Sequence, residues 1–145
     1  MMEISVKRLR ENAKMPTFGT DQAAGADLYA CLDGEVTVAP GQTVFIPTGL
    51  SMAIPAGYVG LVFARSGLAC KSDLAPANKV GVIDSDYRGE FLVALHNHGG
   101  ETRTVSDGER IAQLLIMPVI HPCYRETDTL PETQRGAGGF GSTGK

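Results

Sequence analysis

Apolar residues in this chain fall in short runs, several of them alternating in period two, and glycine or proline cuts the chain between them. The runs cover residues 4–9, 25–32, 35–38, 43–46, 50–54, 58–63, 81–83, 91–97, 103–105 and 111–119. This spacing predicts an all-β sandwich or barrel. Leu50, Met52 and Ile54 share one face of their run and Ser51 and Ala53 the other, the pattern of a half-buried strand. One helix is predicted, over residues 66–72, too short to organise a fold. The runs at 91–95 and 111–116 are apolar on both faces, which predicts association with other subunits.

The chain has 145 residues, room for one domain with a sizeable core. Trp is absent and aromatics are 6%, so Val, Ile, Leu and Ala must fill that core. The net charge is −3 with no block of like charge, which argues against a general nucleic-acid binder. No apolar run approaches the ~20 residues that span a bilayer, so no membrane span is expected. The first ten residues contain Glu3, Lys7, Arg8 and Arg10 and do not read as a signal peptide. Cys31, Cys70 and Cys123 are odd in number and far apart, which suits a reduced, cytoplasmic setting. Past residue 124 the apolar periodicity ends, predicting a β domain over 1–124 and a flexible arm over 125–145.

Five segments carry polar residues that such a fold does not need. In the arm, Gly136, Gly138, Gly139, Gly141 and Gly144 surround Arg135 and Phe140. Convergent backbone N–H groups, the Ser142 and Thr143 hydroxyls and the Arg135 fork could bind phosphate, leaving Phe140 free to stack on a flat ring. The alternative is a solvated linker; the segment is not a Walker loop. Arg65, Ser66 and Gly67 stand where a strand meets the predicted helix, and offer a phosphate a guanidinium, a hydroxyl and backbone donors, unless Ser66 is only an N-cap.

Residues 81–97 read as a β-hairpin turning near residues 86–89. Asp84 leaves its first strand, where a carboxylate either caps the turn or takes a proton from an attacking water. Asp27 is an acid inside an apolar strand, costly unless paired or near a metal. Gln113 sits among packing residues. His96 and His98 alternate on one predicted strand face with no third ligand evident, so a metal site is not expected there.

Taken in order, residues 25–30, 65–69, 81–89, 110–113 and 135–144 resemble the motifs of the homotrimeric deoxyuridine triphosphate nucleotidohydrolases, the dUTPases. Ala137 stands where the last family motif often has Ser. The resemblance implies a β-jelly-roll homotrimer with active sites at subunit junctions, each closed by the C-terminal arm of a neighbour. It implies hydrolysis of dUTP to dUMP and pyrophosphate, with Asp84 as the base that activates water at the α-phosphorus. Tyr87 would lie under the deoxyribose, and Asn78, Val82, Ile83 and Leu92 would hold uracil and sugar. Arg65, Ser66, Gly67 and Gln113 would contact phosphates. Arg135, Ser142 and Thr143 would clamp the γ-phosphate beside Gly141, with Phe140 stacking on uracil. Asp27 would support Mg2+ through water, the ion being held mainly by the triphosphate. The nearest alternatives are a deoxycytidine triphosphate deaminase, a non-catalytic nucleotide-binding relative and a structural jelly roll. Asp84, Tyr87 and Phe140 together favour the hydrolase.

Overall fold

A computed structural model describes residues 2–141. Its elements in order are β1 (Ser5–Arg8), β2 (Thr17–Phe18), β3 (Ala26–Tyr29), β4 (Val36–Val38), β5 (Thr43–Pro47), β6 (Leu50–Ala53), β7 (Tyr58–Phe63), α1 (Ser66–Lys71), β8 (Leu74–Pro76), β9 (Gly81–Ile83), β10 (Leu92–Asn97), β11 (Arg103–Val105) and β12 (Arg110–Pro118). Every predicted run carries a strand. The sequence pattern misses β2, only two residues long, and β8, where alternation is too brief to register beside a proline.

The strands form sheets of order β2-β3-β12-β7-β9, β5-β10-β8, β1-β6 and β11-β4, an all-β jelly roll wrapped on one core. The inward set is aliphatic: Leu28, Val38, Ile46, Leu50, Leu74, Leu95, Val105 and Ile111 are fully buried, and Phe91 is the one aromatic in the core. Leu50, Met52 and Ile54 all point inward, as their alternation predicts. Burying each such side chain contributes about 1.5–3 kcal/mol. Two uncharged polar residues buried in the core are satisfied: Thr48 donates to the Phe91 carbonyl at 2.7 Å, and Asn97 donates to those of Val38 and Glu101. Among the described residues no helix is long and apolar enough to cross a membrane.

One local expectation is overturned. Residues 81–97 are not a hairpin: β9 pairs only with β7, in the five-stranded sheet, while β10 pairs with β5 and β8 in another. The cause lies at Phe91. Its buried ring, its N–H bonded to the Leu50 carbonyl at 2.8 Å and its carbonyl held by Thr48 carry the chain across to the second sheet. Edge strand β9 therefore keeps one side of its backbone unpaired within the chain. A second expectation also fails, because β10 ends at Asn97 and His98 does not share a strand face with His96.

Candidate active site

The gap opened by that crossover is a crevice of about 250 Å³ between β9 and the β5–β10 face. Asn78, Val82, Ile83, Asp84, Tyr87 and Leu92 all line it, so six of the predicted site residues meet in one place. Val82 and Leu92 are exposed although apolar, at 65% and 49%. The crevice is smaller than the roughly 300–1,000 Å³ sites that take drug-sized ligands. Asn78 follows β8, and its Nδ2 lies against Gly81, where an added Cβ would approach it to 3.4 Å. The free side of β9 offers the backbone donors and acceptors that an edge strand presents. Asp84 sits at the rim, lining this crevice and a neighbouring one with Tyr58, Ser85, Asp86 and His121.

The loop after Asp84 is tightly fastened. The Tyr87 N–H bonds the Asp84 carbonyl at 3.2 Å, and the Tyr87 hydroxyl donates to the Glu90 carbonyl at 3.0 Å. Arg88 bonds the carbonyls of Ser85 and Tyr87, and Ser51 donates to the Arg88 carbonyl at 2.6 Å. Sequence reasoning missed Phe45, Glu90 and Phe91 as crevice residues. Phe45 was findable: it occupies the outward parity of β5, opposite Ile46, and is 67% exposed.

A second group gathers around Asp27. This residue is buried, and its carboxylate accepts from Arg65 Nε at 2.8 Å and Arg110 Nη1 at 3.3 Å. Arg65 is the N-cap of α1 without a side-chain cap bond, and Ser66 is the first helical residue, so its hydroxyl is not spent on capping. Ser66 and Gly67 are exposed. Gln113, on β12 opposite Phe63 and Asp27, donates from Nε2 to the Ala64 carbonyl at 2.9 Å and so secures the peptide before Arg65. Its Oε1 lies against Gly25, where an added Cβ would approach it to 2.8 Å. The sequence pattern assigns Arg110 no role; its bond to Asp27 supplies one. The described residues include no group of three or more His, Cys, Asp or Glu side chains placed to hold a metal.

The third group lies past β12. Residues 120–141 carry neither strand nor helix, and Arg135, Phe140 and Gly141 are exposed. Among the described residues the hydrogen bonds beyond Val119 stay within the arm: Gly136 N–H to the Thr133 carbonyl and Gly138 N–H to the Arg135 carbonyl, both at 3.0 Å, Gly136 N–H also to Thr133 Oγ1, and the Thr127 hydroxyl to the Thr129 carbonyl. Gly136 and Gly141 adopt φ of +51° and +90°, conformations glycine takes at little cost. Ser142 and Thr143 lie outside the described residues. Among the described residues, no member of the Asp27 group and none of the arm lines the Asp84 crevice.

The sequence model of the family described as dUTPase matches residues 11–144 of this chain. The chain belongs to the dUTPase family. A deoxyuridine 5'-triphosphate nucleotidohydrolase of Desulfitobacterium hafniense (strain DSM 10664 / DCB-2) is 55% identical over 144 residues, covering 99% of this chain and 95% of that one. Another, of Syntrophotalea carbinolica, is 50% identical, covering 97% and 96%. Among solved structures, the Staphylococcus bacteriophage 80alpha dUTPase with dUPNHPP superposes with a TM-score of 0.93 at 28% identity, covering all of both chains. All three groups, the arm as far as residue 144, fall within the dUTPase match.

Proposed function

We propose that this dUTPase-family chain hydrolyses dUTP to dUMP and pyrophosphate, limiting the uracil available for incorporation into DNA and supplying dUMP for thymidylate synthesis. The observation that carries the reading is Asp84 at the rim of a base-sized crevice it shares with Asn78 and Tyr87. Uracil enters against the free backbone edge of β9 and Asn78. Tyr87 lies beneath the deoxyribose, where a 2′-hydroxyl has no room. A site whose specificity rests on fixed hydrogen-bonding groups rejects a base that cannot match them by about 10⁴–10⁵.

Asp84 takes a proton from water as the water oxygen bonds the α-phosphorus, and the bond from that phosphorus to the bridging oxygen breaks, releasing pyrophosphate. The developing negative charge needs donors held in place beforehand. Arg65, fixed through Nε by Asp27, keeps its remaining guanidinium donors for phosphate, with Ser66, Gly67 and Gln113 nearby in sequence or register. Arg135, Ser142 and Thr143 clamp the γ-phosphate and Phe140 stacks on the base. The described lining of the Asp84 crevice includes neither Arg65 and Gln113 nor the arm, which supports a complete site assembled from several chains of a homotrimer, with the arm reaching a neighbour.

Each Asp27 oxygen spends one lone pair on a guanidinium and retains another, which fits support of a hydrated Mg2+ through water rather than direct ligation. Bound with the triphosphate, magnesium neutralises phosphate charge. Hydrolysis in ¹⁸O-water tests the route. The label appears in dUMP when water attacks the α-phosphorus; label in pyrophosphate would refute it.

A further inference from the structure

We infer that Gly89 and Glu90 are positioning residues that fix the Tyr87 ring and through it set discrimination at the 2′ position of the sugar. The inference rests on the proposed place of Tyr87 beneath the deoxyribose. Tyr87 is 43% exposed on a loop, and a side chain so placed would ordinarily sample several rotamers. Here three contacts restrict it. Its hydroxyl donates to the Glu90 carbonyl, its ring lies 6.2 Å from that of buried Phe91 at a 38° tilt, and its hydroxyl end lies against Gly89. A Cβ at Gly89 would stand 2.9 Å from Tyr87 Cε2 and 2.5 Å from Cζ.

Gly89 is not among the glycines with positive φ, so its backbone conformation is open to alanine. Space for the tyrosine ring is what glycine provides there. The other half of the device is Glu90. Its Oε1 accepts the Gly49 N–H at 2.8 Å, while its own carbonyl receives the Tyr87 hydroxyl. Gly49 is a firm anchor: its φ is +68°, and an added Cβ would meet Ala13 and Cys31 at 2.7 Å. The position of the ring is thereby referred to the core through one carboxylate.

The test compares kcat/KM for dUTP and for UTP in the full-length protein and its variants. Gly89→Ala should lower the dUTP-to-UTP ratio at least about tenfold, through KM for dUTP more than kcat, since a misplacement of about 1 Å can cost up to about 10²-fold. Glu90→Ala should do the same, and Glu90→Gln, whose amide carbonyl still accepts the Gly49 N–H, should restore the ratio to within about twofold of the parent. A role in folding alone would lower kcat for both nucleotides together and leave the ratio in place. An unchanged ratio in Gly89→Ala, alongside a collapsed one in Tyr87→Ala, would overturn the inference while sparing the reading of Tyr87. An unchanged ratio in Tyr87→Ala would overturn both, and absence of dUTP hydrolysis in the parent would remove the proposed function itself.

Discussion

Arg65 meets Asp27 through Nε at 2.8 Å, and the aspartate is only 8% exposed. Arg110, 51% exposed along its side chain, completes the pair of cations at 3.3 Å. Removing the shared anion leaves two guanidiniums unpartnered at the edge of the core. Asp27→Ala should cost about 1–3 kcal/mol, below the 3–5 kcal/mol of a fully buried pair because both arginines touch solvent. Arg110→Ala should cost at most about 1 kcal/mol. Urea unfolding of the two variants checks the order, and equal losses would contradict it.

Asp84→Asn keeps the shape of the crevice rim and removes the proposed proton acceptor. Turnover should fall by a factor of about 10²–10⁴ or more while dUTP still binds. Single-turnover kinetics with calorimetric titration of dUTP separate the two effects. Normal activity in this variant would remove Asp84 from the base role.

Deleting residues 135–145 should damage turnover and leave the β domain and its assembly intact, since the arm's described hydrogen bonds beyond Val119 are made within itself. Thermal melting and light scattering should match the parent, with kcat/KM reduced about 10²–10³-fold, on the order of losing one positioned donor. A lowered melting temperature would contradict this and show that the arm stabilises the β domain or its assembly.

Among the cysteines, Cys31 is buried and donates its thiol to Asn12 Oδ1 at 3.0 Å, whereas Cys70 and Cys123 are exposed. Burial pushes the Cys31 thiol above its ordinary value of 9.0, opposed by Arg10 and reinforced by the carboxylates of Asp107, Glu90 and Asp33. A raised native pKa means that the unfolded chain ionises first. The contribution is intact below about pH 9 and is lost as pH rises beyond it. Two thiols should react with a thiol reagent in the native state and the third only on unfolding, and stability of the parent should decline above pH 9 more than that of Cys31→Ala. Rapid labelling of all three cysteines at neutral pH would contradict this.

Strand positions were readable because alternation is a local property: Leu50, Met52 and Ile54 need only their neighbours in sequence to declare a face. The pairing of β9 and β10 was not, because Gly81–Ile83 and Leu92–Asn97 flank a loop with turn residues whether or not they pair. What separates them is the burial of Phe91 against Leu50 and Thr48, a contact spanning some forty residues of chain. The crevice residues Asn78, Asp84 and Tyr87 follow from the resemblance to the dUTPases, but the bond between Glu90 and Gly49 joins positions no local pattern connects. Asp27 illustrates the middle case. Its cost inside an apolar strand was evident, and only the fold shows that Arg65 and Arg110 offset it.

The central claim is that the Asp84 crevice selects and hydrolyses dUTP. Pyrophosphate release measured separately from dUTP, dCTP, dTTP and UTP in the presence of magnesium, with the nucleotide product identified, tests it most directly. The account predicts release from dUTP alone, with dUMP as the product. Ammonia from dCTP, or tight dUTP binding without any turnover, would contradict it.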